Sequence, residues 1–400
     1  MTAAFVVLLV AQAVAFLVLL KRLMPGRRRA APVPPGDHAD DTPVVSVIVA
    51  TLNEATRIGP CLEGLHAQGR ALRDVLVVDS RSTDGTRELV QAMMKRDARF
   101  QLLTDDALPP GWIGKVWALE TGLQLAGGEW VLGIDADTVP EPGMVSAILR
   151  AVEASQCDAA SFGPRFIGQS TAERFLQPAM LTTLIYRCGA AGSDTVDPER
   201  VLANGQCFMA RKSVLLSNGG YTVARASFSD DVTLARHLAR RGARVGFLDG
   251  SRIISVRAYR SAGEMWREWG RSFDLKDGTS QFRRWMDVIF VWLTMALPVP
   301  VLAILFGGQF IVGPGTMAAG VDFRDARVWG TALATMNALM LWLRIYLVYA
   351  IRGSYGQRGW TFWLSWLADI PASIRLTIST ARRPLAWRGR SYNPQEQVRA

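Results

Sequence analysis

Val44-Val45-Ser46-Val47-Ile48-Val49-Ala50 is a run of β-branched and small residues that ends in the polar Thr51-Leu52-Asn53-Glu54. It reads as a buried strand, and the pattern recurs downstream. Asp74-Val75-Leu76-Val77-Val78-Asp79 and Glu129-Trp130-Val131-Leu132-Gly133-Ile134 are of the same kind, with a shorter Phe100-Gln101-Leu102-Leu103 between them. Helical patterns fall in the gaps, around residues 59–66, 84–96 and 115–126. Short apolar runs alternating with helices predict an α/β fold with a mostly parallel central sheet. Such sheets bind ligands at the carboxyl ends of their strands, so the polar residues after each strand deserve inspection first.

Those loops carry chemistry. The first strand ends in Thr51-Leu52-Asn53-Glu54 and the second in Asp79-Ser80-Arg81-Ser82-Thr83-Asp84-Gly85-Thr86. After the third comes Pro110-Gly111-Trp112-Ile113-Gly114-Lys115, where Lys115 opens a helix whose N-terminus favours anions. The fourth ends in Asp135-Ala136-Asp137, two carboxylates on one turn, suited to a hard divalent cation such as Mg²⁺ or Mn²⁺. Asp-x-Asp also arises by chance in solvated loops; its place after a buried strand is what favours the metal. No Gly-x-Gly-x-x-Gly or Walker lysine loop is present, which disfavours dinucleotide and ATP-type cradles.

The two ends of the chain have a different character. Half of the 400 residues are hydrophobic, and the formal net charge is +10. Residues 3–20 form an apolar run of the length a spanning helix needs, followed by Lys21, Arg22, Arg27, Arg28 and Arg29. Basic residues after the run, not before it, argue for an anchor over a cleaved leader, and the positive-inside rule puts everything after Lys21 in the cytoplasm. Residues 31–43 read as a linker. Val288–Val312 and Trp329–Ile351 are two further expected spans; the link between them, with Asp322, Arg324, Asp325 and Arg327, can sit outside. Residues 360–380 carry Asp369, Pro371 and Arg375, with Arg382, Arg383, Arg388 and Arg390 behind them, and read as an in-plane or re-entrant helix. Because the basic residues track the membrane ends, anionic headgroups are the expected counter-charge, not nucleic acid. Cys61, Cys157, Cys188 and Cys207 form no Cys-x-x-Cys pair, and His38, His66 and His237 share no metal-ligand spacing.

Two later motifs have competing readings. Ser229-Asp230-Asp231 opens an amphipathic helix, where an acidic residue serves as an N-cap. A carboxylate there could also be a general base, although from the residues alone the cap is the favoured reading. Gln281-Phe282-Arg283-Arg284-Trp285 precedes a span, where arginine and tryptophan suit the headgroup layer, but Gln-x-x-Arg-Trp is more specific than that.

Taken in order, these motifs resemble glycosyltransferase family 2, inverting enzymes of the GT-A fold. The resemblance implies a nucleotide-sugar site at Thr51, Asn53, Glu54, Asp79, Lys115 and Asp135, with a divalent metal at Asp137 and Asp135. It implies Asp231 as the catalytic base, beside Asp230, which stands where the family has Glu. It places Gln206, Gln281, Arg284 and Trp285 on the acceptor and diphosphate side. More narrowly, Gly111-Trp112-Ile113-Gly114-Lys115, Asn204-Gly205-Gln206 and Trp387-Arg388-Gly389-Arg390-Ser391-Tyr392 resemble bacterial carotenoid and hopanoid-associated glycosyltransferases. The expected organisation is an anchor (1–24), a linker (25–43), a catalytic domain (44–260), interfacial helices (261–286), two spans (287–351), and an interfacial or re-entrant helix with a basic tail (352–400). The implied enzyme is multi-pass in the cell membrane and moves a hexose from a UDP-sugar to a lipid. A ceramide or polyprenyl-phosphate acceptor and a processive polysaccharide synthase are the alternatives.

Overall fold

The computed structural model describes residues 2–36, 41–193, 195, 197–257, 259, 261–273, 275–311, 323–382, 386–387 and 390–391. His38, Asp322, Arg383, Arg388, Gly389 and Tyr392, singled out above, lie outside them.

The helix α1 (Thr2–Leu23) is apolar along most of its length and continues into a 3₁₀ helix at Met24–Arg28, ahead of the sheet domain. There β1 (Val45–Thr51), β2 (Leu72–Asp79), β3 (Phe100–Thr104) and β4 (Trp130–Asp135) run parallel in the order β3-β2-β1-β4. The later strands are β5 (Thr138–Pro140), β6 (Ala159–Gly163), β7 (Arg165–Phe166), β8 (Cys207–Arg211), β9 (Val245–Asp249) and β10 (Ile254–Val256). Of these, β8, β6 and β9 extend the main sheet to seven strands, β3-β2-β1-β4-β8-β6-β9, in which β8 alone is antiparallel to its neighbours. A small second sheet, β5-β10-β7, lies beside it. The expected mostly parallel α/β sheet is what the chain forms.

Burial on both faces explains why β1 has no alternation. Val45, Val47 and Val49 join one apolar cluster with α2 (Ile58–His66), α3 (Thr86–Arg96) and, further along the chain, Met144–Ala154. Ile48 points the other way, into a cluster with α4 (Gly114–Leu125). There Gly122 is required by contact: a Cβ on it would stand 2.5 Å from Ile48 Cγ2, so only glycine lets the helix lie this close to the strand.

The remaining helices are α5 (Met144–Ala154), α6 (Thr171–Cys188), α7 (Lys212–Ser217), α8 (Asp230–Arg240), α9 (Ala262–Ser272), α10 (Gln281–Val291), α11 (Pro298–Ile311), α12 (Phe323–Ala350), α13 (Trp360–Trp363) and α14 (Asp369–Ala381). Helix α6 starts at a capping box, Ser170 with Glu173, and joins the sheet domain to a third apolar cluster. That cluster holds Leu19 of α1, Trp269 of α9, Val291 of α10, Val348 of α12 and Leu376 of α14.

Helix α1 with its continuation (Ala3–Arg28) and the segment Arg327–Ser354 are long and apolar enough to cross a membrane. The expected span at 288–312 is not one straight helix. Residues 281–296 and 298–307 meet at an angle of 44°, after a π-helical turn at Trp292–Ala296, so this pair is a broken span or a re-entrant loop. Residues 360–380 are likewise divided, into α13, a 3₁₀ turn at Ser365–Ala368 and α14. Buried polar pairs fix these helices to each other: Gln12 and Asn337 exchange amide hydrogen bonds of 2.8 and 2.9 Å, and Arg344 of α12 binds Asp369 of α14.

Candidate active site

The first two strand-end loops are sewn together by side chains. Asn53 has a left-handed backbone (φ 56°), a conformation asparagine tolerates better than most residues. In that pose its Oδ1 accepts from Thr83 N at 3.0 Å and its own N–H donates to Ser82 Oγ at 2.8 Å. Glu54 N donates to Thr86 Oγ1 and Ala55 N to Asp84 Oδ2, both at 2.9 Å. Asp79 is wholly buried and accepts from Thr51 Oγ1, Ser82 N, Ser82 Oγ and Arg87 Nη1 at 2.5–3.1 Å. Beside it Ser80 Oγ donates to the buried Asp105 Oδ2 at 2.6 Å, a contact that joins the loop after β2 to the one after β3.

These loops border a cavity of ≈ 430 Å³ at the carboxyl ends of the strands. Thr51, Glu54, Lys115, Asp135, Asp137, Gln206, Asp230 and Asp231 all line it. Asn53 and Asp79 do not; Asp79 is buried beneath the loops and Asn53 is exposed on the first of them, and both hold the loops together. Gln281, Arg284 and Trp285, at the start of α10, are not among the lining residues either. That helix faces α14 and α6, and its Asp287 carboxylate lies 3.2 Å from Arg22 Nη1 and 3.4 Å from Arg187 Nε.

The acidic wall is organised around one ammonium group. Lys115, at the start of α4, places Nζ 2.6 Å from Asp135 Oδ1. Burial works to lower the Lys115 pKa, but the carboxylates of Asp135, Asp230 and Asp231 outweigh it and hold the group above its ordinary value. Gly205 sits against this cluster, where a Cβ would approach Lys115 Nζ to 3.0 Å. Its N–H donates to Asp231 Oδ2 at 2.6 Å, while Asp231 Oδ1 accepts from Val232 N at 2.8 Å. Burial, followed by the neighbouring Asp230 charge, pushes the Asp231 carboxyl up to about 6, against the opposing pull of Lys115. Burial likewise raises Asp230, with Lys115 opposing and Asp135 reinforcing. Two adjacent acids at a helix start have become a coupled pair, with a proton affinity suited to a base near neutral pH.

Asp137 lies across from this pair, with Oδ2 3.7 Å from Arg57 Nη1. Among the described residues no three His, Cys, Asp or Glu side chains form a metal cage. That still suits a hard cation that keeps substrate phosphate oxygens among its ligands, which asks for only one or two protein carboxylates. Asp135 and Asp137 are the two carboxylates of that turn, the first paired with Lys115 and the second with Arg57.

The cavity also contains residues that were not expected in the site, those of α9 lying in the segment read as an interfacial helix. Arg57 follows the first loop, and Glu264, Glu268, Trp269, Arg271 and Ser272 come from α9. Glu264, Glu268, Arg271 and Ser272 recur at helical spacing, the one signal that could have marked this face of α9. The cavity lining also includes apolar side chains, Leu181, Leu184 and Ile185 of α6 and Ile351 after α12, together with Arg29 behind α1. His66 pairs with Asp97 at 3.0 Å, and His237 is half-buried on α8; neither lines the cavity.

Comparison with known proteins gives a consistent answer. Residues 46–217 match the family described as Glycosyl transferase family 2. The protein EpsH of Bacillus subtilis (strain 168) is 30% identical over 110 residues, 28% of this chain and 30% of that protein. Glycosyltransferase AglE of Haloferax volcanii is 28% identical over 138 residues, 33% of this chain and 44% of that protein. The chain thus spans less than half the length of these curated relatives. Among solved structures, the mannosyltransferase PcManGT from Pyrobaculum calidifontis, in complex with GDP-Man and Mn²⁺, aligns with a TM-score of 0.51 at 18% identity. That alignment covers 95% of this chain and 97% of that one. Over residues 46–217 the sheet domain, with its polar loops at the strand ends, is thus similar to family 2 glycosyltransferases, and its architecture is the GT-A fold of that structural neighbour.

Proposed function

We propose that this chain is a membrane-anchored inverting glycosyltransferase that moves a hexose from a UDP-sugar to the hydroxyl of a lipid. The observation that carries the reading is the cavity itself. Its lining combines the acidic cluster around Lys115 with apolar side chains of α6 and with Ile351, which follows a helix long and apolar enough to cross a membrane. A polar donor and an apolar acceptor could meet there without the lipid leaving the bilayer.

In this mechanism Asp231 takes the proton from the acceptor hydroxyl. The acceptor oxygen bonds to the anomeric carbon as the bond to the diphosphate oxygen breaks, and the nucleoside diphosphate leaves with the electron pair. Gly205 N–H and Val232 N–H orient the Asp231 carboxylate and leave lone pairs on both oxygens for the incoming hydroxyl. A divalent cation held at Asp137 supplies charge neutralisation for the leaving diphosphate. Lys115, at the helix start, adds a fixed positive charge on the same side. For the acceptor, the segments 111–115 and 204–206 carry the narrower likeness to carotenoid and hopanoid-associated enzymes. They meet in this cavity through Lys115 and Gly205, which supports an isoprenoid alcohol or acid. With Lys21, Arg22 and Arg27–Arg29 after α1, the positive-inside rule puts the catalytic domain in the cytoplasm of a multi-pass cell-membrane protein.

The test uses purified protein in lipid nanodiscs with UDP-glucose or UDP-galactose and a hydroxylated carotenoid. Lipid-dependent release of UDP, with a hexosylated lipid found by mass spectrometry, is the expected result. Release of UDP with no acceptor dependence would remove the lipid reading. Asp231→Asn should cut turnover by ~10²–10⁴-fold while the donor still binds. Substantial turnover in that variant would remove Asp231 as the base.

A further inference from the structure

Arg57 closes the turn that leads into α2, directly after the first strand-end loop. Its guanidinium spans two elements far apart in the chain. Nη2 donates to Glu264 Oε1 at 3.0 Å, in the first turn of α9, while Nη1 stands 3.7 Å from Asp137 Oδ2. All three residues line the cavity and all are largely withdrawn from solvent.

We propose that Arg57 is a positioning residue that stands in for the divalent cation beside Asp137 when no donor is bound, and that it makes cation binding depend on the diphosphate. The inference rests on the reading of Asp137 as the metal carboxylate. The contacts are unequal. The Glu264 contact is a hydrogen bond, whereas the Asp137 contact is longer and mainly electrostatic. A divalent cation arriving at Asp137 meets the guanidinium's positive charge on the same carboxylate. With no diphosphate present the two cations repel, and the metal binds weakly. A diphosphate supplies the missing negative charge, so Arg57 yields Asp137, keeps Glu264, and faces the phosphates. Metal and nucleotide then bind as a pair, with reciprocal coupling. Glu264 sets the balance by holding Arg57 back from Asp137, which ties the donor side of the cavity to α9, its opposite wall.

The measurement is Mn²⁺ binding to the full chain in detergent, read by electron paramagnetic resonance, first with Mn²⁺ alone and then with UDP present. Arg57→Gln should tighten binding of Mn²⁺ alone by about tenfold and shrink the enhancement that UDP produces. Glu264→Gln should move Mn²⁺ affinity the opposite way, because Arg57 is then free to lean on Asp137. Arg57→Lys keeps a positive charge and should bind Mn²⁺ as the parent does, which separates the effect of charge from a disturbance of folding. Asp137→Asn should abolish the site. If Asp137→Asn leaves Mn²⁺ binding intact, the metal reading fails and the Arg57 proposal with it. If Asp137→Asn loses the ion but Arg57→Gln binds Mn²⁺ no more tightly than the parent, the Arg57 proposal fails alone.

Discussion

Lys115 Nζ and Asp135 Oδ1 are 2.6 Å apart, and that contact sets the charge balance of the whole acidic wall. Asp230 and Asp231 both sense the same ammonium, which opposes the upward push of burial on each of them. One cation, fixed at a helix start, thus opposes the protonation that burial favours in the neighbouring carboxylates.

Replacing Lys115 by Met should therefore act through Asp231 as well as through the lost charge. With the opposing pull gone, the Asp231 pKa rises above about 6. The acid limb of the kcat/KM profile should move to higher pH, and kcat at pH 7.5 should fall by about 10²-fold. A variant that loses rate with an unmoved acid limb would show that Lys115 does not act on the base.

Linkage gives Asp231 a signature in stability. A buried carboxyl whose folded pKa is raised, here from 3.8 to about 6, favours the folded state at low pH, and that contribution is lost as pH rises. The loss accumulates between roughly pH 4 and pH 6 and is complete above. Asp231→Asn removes the titration, so its Tm relative to the parent should rise across that window and level off beyond it. Any fixed penalty from turning an amide N–H₂ toward Gly205 N or Val232 N is the same at every pH and drops out of the comparison. A Tm difference that stays flat from pH 4 to pH 7 would contradict the raised pKa.

Gly205→Ala tests the packing of the same cluster. The added Cβ would lie 3.0 Å from Lys115 Nζ and 3.5 Å from Asp231 Oδ2, so the ammonium has to give by a few tenths of an ångström. A loss of about tenfold in kcat is expected from misplacement on that scale, with Tm nearly unchanged because the displaced atom ends a flexible side chain. Unchanged kcat would mean that the position of Lys115 is not critical.

What could be read from the chain followed from where side chains are buried. β1, β2 and β4 were legible because both of their faces are covered, which leaves unbroken apolar runs such as Val45–Val49. β2 begins at Leu72, before the expected Asp74: Leu72 pairs with Val45 and Asp74 with Ser46, and the polar Arg73 between them falls at a register shift that hides the start of the strand. β6, Ala159-Ala160-Ser161-Phe162-Gly163, has little strand propensity of its own and exists by pairing with β8 and β9. The site was legible where a motif ends a strand, as at Asp135 and Asp137. It was illegible where the partner is distant in sequence, as for Arg57 and Glu264. Asn53 and Asp79 show a further limit: a motif residue can serve the site by holding its loops together without lining the cavity.

The buried pair Arg344–Asp369 should prove more costly to break than to remove. Arg344 Nε and Nη2 reach the Asp369 carboxylate at 2.8–3.1 Å, and both side chains are almost wholly buried between α12 and α14. Asp369→Asn leaves the guanidinium charge buried without its counter-ion, which should cost ~3–5 kcal/mol in unfolding free energy measured in micelles. The double variant Arg344→Met with Asp369→Leu removes both charges and should recover most of that loss. Recovery should still fall short of the parent. Tyr186 Oη, Tyr355 Oη and Ser365 Oγ are buried, with no hydrogen-bond partner among the described residues, in the region of this pair. An apolar replacement makes that region drier and gives those hydroxyls nothing to bond. If Asp369→Asn alone is as stable as the parent, water reaches the guanidinium, and the pair is not the dry lock between α12 and α14 that its burial indicates.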